Sequence, residues 1–308
     1  TEYGTKCEWE ELLMDNKFAI VTFVVGRNHL DIFEIVKPSW VAYAGKCKAD
    51  LVVVDDYVDR ASLAGRAPMW QKLLVLNLPM LRKYQQVLFL DIDILINPDS
   101  PSIFDTDTRE KVGIVRHQAL FYPEIATIQH LRYLKLMGAS EKGPEAAEQI
   151  GKCFVDYYSN YGLSLASTLI FNTGVMLFSP SIQGQFFEGI YHKYEMDAFD
   201  QEQTALNYEL IVNENYLELD FRFNAQVGAI LSRDYPFLHL TDEQAVRYLS
   251  NANFCDVSFL CLNNVIELNY FAHFSGLKWP FLVIESGVRD GFTPVNFKDA
   301  AKKIWGPN

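Results

Sequence analysis

The stretch that decides the fold is VLFLDIDILINPDSP, residues 87–101. Four apolar residues run into Asp91-Ile92-Asp93, and apolar residues resume at once. An ionised carboxylate is costly to bury, and two side by side also repel. Side chains alternate along a strand, so Asp91 and Asp93 share one face. Such a pair at a strand end calls for a cation or a shared proton. The stretch therefore predicts a metal site or an acid/base pair. The ordinary alternative is a strand end where both acids simply meet solvent.

The flanking sequence sets these acids in an alternating α/β pattern. FAIVTFVV (18–25) and DLVVVDD (50–56) read as buried strands. Residues 30–44 read as a helix interrupted at Pro38. Residues 68–83 read as a second helix, with Pro68 near its start and Pro79 kinking or ending it. This order predicts an α/β fold with a mostly parallel central sheet flanked by helices. In such sheets ligands bind beyond the carboxyl ends of the strands. Gly26, Asp55 and Asp91 all fall at such ends. Farther on, 111–117 and 169–180 read as strands, 125–137 and 181–196 as helices, 138–152 as a polar surface insertion, and 265–274 as a late strand.

Bulk properties narrow the function classes. The chain has 308 residues, 49% hydrophobic and 21% charged, enough for one large domain or two small ones. Its net charge of −12 provides no basic footprint for nucleic acid. No apolar run approaches the roughly 20 residues of a transmembrane helix, and no signal peptide is visible. The chain opens on Thr1 rather than Met, so an upstream segment is expected to have been removed. The compartment expectation is cytoplasmic, with a Golgi lumen behind a trimmed anchor as the alternative. Cys7, Cys47, Cys153, Cys255 and Cys261 are scattered without CxxC spacing, which predicts neither a zinc site nor a disulfide framework.

Two enzyme classes compete for an Asp-x-Asp at a strand end. In a haloacid-dehalogenase-type phosphohydrolase Asp91 would be the nucleophile and Asp93 the acid/base. That class wants Thr or Val at position 95, where Leu95 stands, and a later Gly-Asp-x-x-x-Asp pair that is missing. In a nucleotide-sugar-dependent glycosyltransferase the acids hold a divalent cation on the donor diphosphate. A non-catalytic sugar-nucleotide-binding module is the third possibility.

Four further segments favour the second class. RAPMWQKLLVLN (66–77), IFNTGVMLFSP (170–180), DAFDQEQTALN (197–207) and HFSGLKWP (273–280) follow one another along the chain. Together with VLFLDIDILI (87–96) they resemble, in order, the motifs of GT-A-fold retaining glycosyltransferases, closest to glycosyltransferase family 8, the glycogenin and bacterial galactosyltransferase group. Two departures stand out. The closing motif is one residue short between Gly276 and Lys278 with Trp279-Pro280 inverted, and the Asp200–Asn207 segment is longer by Glu202-Gln203-Thr204.

The resemblance implies a single GT-A domain over 1–308, with a donor half at about 18–117, an acceptor and catalytic half at about 118–285, and a tail at 286–308. It implies a donor that is a nucleotide sugar, expected to be a UDP-sugar, and an acceptor that is a glycan, protein or lipid-linked hydroxyl. Asp91, Asp93 and His273 would hold Mn²⁺, with Mg²⁺ possible, in a mixed O/N shell. Lys278 and Lys72 would face the phosphates. Phe23, Val25 and Ile92 would flank the nucleotide, with Asp55 or Asp56 on the ribose or base. Arg66, Asn172, Thr173, Gly174 and Gly276 would line the donor. Asp197, Asp200 and Gln201 would form the catalytic set, and retention by front-face attack is expected because glutamine is a poor nucleophile. Tyr157, Tyr158 and Tyr161 would stack an acceptor sugar or else belong to the core. His273 as a core histidine, Gly174 as a plain bulge and Asp200 as a helix cap are the ordinary alternatives.

Overall fold

In the computed structural model, which describes residues 16–61, 66–108, 110–117, 157–167, 169–194, 201–235 and 261–275, the first apolar run forms β1 (Phe18–Phe23). Helix α1 (Arg27–Cys47) and strand β2 (Ala49–Val54) follow. After a 3₁₀ turn come α2 (Gln71–Val75) and β3 (Gln86–Leu90), then the short β4 (Ile94–Ile96). The rest comprises β5 (Val112–Arg116), β6 (Phe171–Phe178), α3 (Pro180–Lys193), α4 (Glu202–Val212), β7 (Tyr216–Glu218), β8 (Ala225–Gln226), α5 (Val227–Asp234) and β9 (Phe271–His273).

Six strands form one sheet in the order β2-β1-β3-β6-β5-β7. Every strand but β6 runs the same way; β6 pairs antiparallel with both β3 and β5. A second sheet holds β4, β9 and β8. The period-two alternation sorts side chains onto two cores. Ile20, Leu88, Leu90, Val175 and Leu177 pack with α1 and the small sheet. Ala19, Val21, Val87, Phe89, Met176 and Phe178 pack with α2, α3 and α4. All eight residues of β6 are buried. Each large apolar side chain hidden this way contributes about 1.5–3 kcal/mol.

Three expectations are corrected. Helix α1 runs through Pro38 without interruption. Proline removes one backbone bond at about 3 kcal/mol, but a buried face of Phe33, Val36, Trp40, Tyr43 and Cys47 holds both halves on the same core. The 87–96 strand is two strands, split at the acids. The 265–274 strand is reduced to β9, because residues 261–268 are helical. There Val265 and Ile266 are buried while Leu268 is 64% exposed, a helical pattern that a short apolar run disguises. The 125–137 and 138–152 assignments lie outside the described residues.

Candidate active site

Strand β3 ends at Leu90, opposite Val175 of β6. The Asp91 N–H donates to the Gly174 carbonyl (2.8 Å), and Thr22 Oγ1 donates to the Leu90 carbonyl (2.8 Å). The chain then turns at Ile92-Asp93 and enters the small sheet. This explains a carboxylate pair between apolar runs: the flanks belong to strands of different sheets, and the acids occupy the corner between them.

The small sheet also delivers the third group. Pairing of β4 with β9 sets Ile94 opposite His273, and the Phe274 N–H donates to the Asp93 carbonyl (2.9 Å). An imidazole 180 residues downstream therefore meets the acids. His273 Nε2 lies 3.2 Å from Asp93 Oδ1. One ligand atom each from Asp91, Asp93 and His273 falls within 4.8 Å of the others. The two acids keep 20% and 22% of their side-chain surface exposed while His273 keeps 2%, so an ion would enter from the acid side.

Beneath Asp91 sits a wholly buried lysine. Lys72 Nζ is 2.9 Å from Asp91 Oδ1 and 3.1 Å from Glu202 Oε1, and Thr173 Oγ1 lies 3.3 Å from the same Glu202 oxygen. Burial alone would lower the Lys72 pKa, but Asp91 and Glu202 outweigh it and hold the ammonium above its ordinary value. Burial pushes the Glu202 carboxyl up, offset only in part by Lys72. Burial would likewise raise Asp93; His273 overrides it and keeps that carboxyl below its usual range. For His273 the sign is reversed: burial would lower its pKa, and Asp93, then Asp91, raise it. Three carboxylates thus face one ammonium, and the cluster stays negative even with a protonated imidazole unless a cation enters. Two carboxylate oxygens and one imidazole nitrogen form a donor set that fits a divalent cation.

Gly174 completes the packing. A Cβ there would stand 2.4 Å from His273 Cε1 and 2.9 Å from Asn172 Oδ1, so only glycine lets the ring lie on the β6 backbone. Asn172 and Thr173 are buried beside it. Phe23 ends β1 edge-on to Tyr57 (5.9 Å), and Val25 leads into Gly26, whose φ of 89° opens α1. Ile92 packs against the α1-side core. Asp55 is exposed, and Asp56 is held bidentate by Arg60 (2.5 and 2.6 Å). Arg66 is sandwiched between the rings of Trp70 and Tyr191 and donates to the carbonyls of Tyr191 and Tyr194 at the end of α3. Gln201 precedes α4 at φ 51°, a left-handed position, and its buried Oε1 has no hydrogen-bond partner among the described residues. Tyr157 and Tyr158 are buried at 2% and 1%, so they serve as core and not as an open stacking surface. Asp197, Asp200, Gly276 and Lys278 lie outside the described residues.

Sequence reasoning passed over three residues that the fold brings to this place. Glu202 pairs with Lys72; Gln203 Oε1 accepts the Thr173 N–H (3.0 Å); Asn207 Oδ1 accepts the Phe171 N–H (2.5 Å) while its Nδ2 donates to the Phe171 carbonyl (2.9 Å). The signal was present: Glu202-Gln203 repeats the acid–glutamine pair of Asp200-Gln201 two residues later, inside the helix that Asn207 anchors.

No protein-family model matches this chain, and no curated protein matches it. Solved structures do. The apo structure of the WbbM bifunctional glycosyltransferase matches with a TM-score of 0.51 at 14% identity, over 94% of this chain and 52% of that one. This chain therefore spans about half the length of WbbM. A glycosyltransferase involved in glycosylating the major capsid of PBCV-1 matches at TM-score 0.48 and 10% identity, over 84% and 94% of the two chains. Mouse xyloside xylosyltransferase 1 matches at 0.40 and 11%, over 83% and 96%. The likeness to WbbM carries the conclusion about fold: a mixed α/β sheet with flanking helices of the GT-A glycosyltransferase type.

Proposed function

We propose that this chain is a metal-dependent glycosyltransferase, moving a sugar from a nucleoside-diphosphate donor to a hydroxyl acceptor. One observation carries the reading. Asp91, Asp93 and His273, from two ends of the sequence, gather within 4.8 Å at the carboxyl edge of an α/β sheet. The GT-A-type fold supports it. Leu95 and the missing Gly-Asp-x-x-x-Asp pair leave the phosphohydrolase alternative without comparable support.

In this reading Asp91, Asp93 and His273 hold Mn²⁺, or Mg²⁺ in its place. A bound divalent cation neutralises the charge that builds on the departing nucleoside diphosphate. The protein's own groups do the rest. Lys72 fixes the Asp91 carboxylate and the Glu202 carboxylate from below, so neither has to reorganise as charge moves. Asn172, Thr173, Gly174 and Arg66 line the donor sugar; Phe23, Val25 and Ile92 flank the base, taken to be uracil. By the motif resemblance, Asp197, Asp200 and Gln201 are assigned to the sugar hydroxyls and Gly276 and Lys278 to the diphosphate. Retention of anomeric configuration, by analogy with the family-8 motifs, follows from front-face attack.

The test is a donor screen by thermal shift with UDP- and GDP-sugars, each with Mn²⁺ or with EDTA. Donor at a hundredfold excess over its Kd contributes about 2.7 kcal/mol, a rise of roughly 5 °C. The expected result is a rise with a UDP-sugar that EDTA removes. Equal shifts with and without metal would contradict the cation's role, and no shift with any nucleotide sugar would contradict the activity class.

A further inference from the structure

Hydrogen-bond parity in the core behind the metal cluster dictates that Nδ1 of His273 carries a hydrogen. The Gly174 backbone N–H donates to Asn172 Oδ1 (3.0 Å). A backbone N–H can only donate, so the atom facing it is the amide oxygen. Asn224 approaches that same oxygen at 2.9 Å and the Asn172 carbonyl at 3.3 Å. Both are acceptors, so Asn224 must present its NH₂ to them. Its own oxygen then faces the other way, 2.8 Å from His273 Nδ1. That ring nitrogen has an acceptor before it and must carry hydrogen. The opposite nitrogen, Nε2, is the one on the acid side, 3.2 Å from Asp93 Oδ1, and it is the nitrogen whose hydrogen a cation would replace.

Asn224 is itself fully buried, at 0% exposure, and cannot trade this bond for water. It reaches the ring because β8 pairs parallel with β9, Gln226 opposite His273. Gly174 supplies the clearance for the ring on its other side. In the metal-binding reading above, on which this inference rests, a ligating imidazole needs a bare Nε2 and a ring that cannot rotate. Outer partners of ligating histidines do this by accepting the second N–H.

We propose that Asn224 is a positioning residue for the cation: it locks His273 with hydrogen on Nδ1 and leaves Nε2 as the only ring ligand. The Gly174 N–H, through Asn172, sets the polarity of the whole relay.

The experiment measures Mn²⁺ affinity by electron paramagnetic resonance for the wild type and Asn224→Leu. Leucine keeps the volume and removes the acceptor. The expected loss is about 10–100-fold for Asn224→Leu. Unchanged affinity in Asn224→Leu overturns the positioning role and leaves the metal reading standing. Absence of Mn²⁺ binding in the wild type overturns both. A second measurement needs no variant of Asn224. Long-range ¹⁵N–¹H spectra of histidine-labelled wild type saturated with diamagnetic Mg²⁺, assigned with His273→Gln, report which ring nitrogen carries hydrogen. Hydrogen on Nδ1 with a bare Nε2 is expected in the cation-loaded protein; a bare Nδ1 refutes the proposal.

Discussion

Replacing Lys72 by methionine removes the only cation that touches both Asp91 and Glu202 among the described residues, and leaves two carboxylates facing each other in the core. Lys72 Nζ lies 2.9 Å from one and 3.1 Å from the other, with 2% of the side chain exposed. At an effective dielectric of about 20 each contact is worth roughly 5–6 kcal/mol of attraction before desolvation. Most of that offsets the cost of burying the charges, so the net loss on breaking the pair is about 3–5 kcal/mol. The variant is expected to lose that much in urea unfolding of the metal-free protein near neutral pH. The loss has a pH signature. Glu202 already titrates above its ordinary value, and without Lys72 it rises further. A carboxyl raised in the folded state binds its proton more tightly there than when unfolded, so stability grows as the pH falls through the raised pKa. The deficit of Lys72→Met is therefore largest above that pKa and shrinks toward acid. The double variant Lys72→Met/Glu202→Gln should recover most of it. A single variant within about 1 kcal/mol of wild type, or a deficit that does not change with pH, would refute the reasoning.

Three shorter expectations follow. Mn²⁺ affinity should weaken as pH falls, because the metal must displace a proton from His273, whose pKa the nearby acids raise above 6.5; calorimetry in two buffers should show about one proton released. Gly174→Ala should cost at least about tenfold in Mn²⁺ affinity, since its Cβ would stand 2.4 Å from His273 Cε1 and the buried ring has nowhere to retreat. Asn207→Ala should lower stability by about 2–4 kcal/mol in denaturant unfolding, because it strands the N–H and carbonyl of Phe171 inside the core.

The parts of the fold that the sequence made legible are those with an unambiguous period. The β-branched runs at 18–25 and 50–56 became β1 and β2, and the acid pair marked a strand end. The corner at Asp91–Asp93 was harder to read. Apolar residues on both sides of two acids look like one strand, and only tertiary pairing tells that the second half joins another sheet. His273 was reachable through its motif, but the helix before it was not, since Val265 and Ile266 fit either period. Glu202 could be seen as a repeated acid–glutamine pair. Asn224 gave no sequence signal at all: it lies 49 residues from His273 and meets it only because β8 lines up on β9.

The most direct test is a crystal of the protein grown or soaked with Mn²⁺ and a UDP-sugar, examined for anomalous scattering at the manganese edge. The account predicts one strong peak, about 2.0–2.3 Å from a carboxylate oxygen of Asp91, a carboxylate oxygen of Asp93 and Nε2 of His273. A peak elsewhere, or donor bound in this corner with no peak between those three side chains, would contradict it.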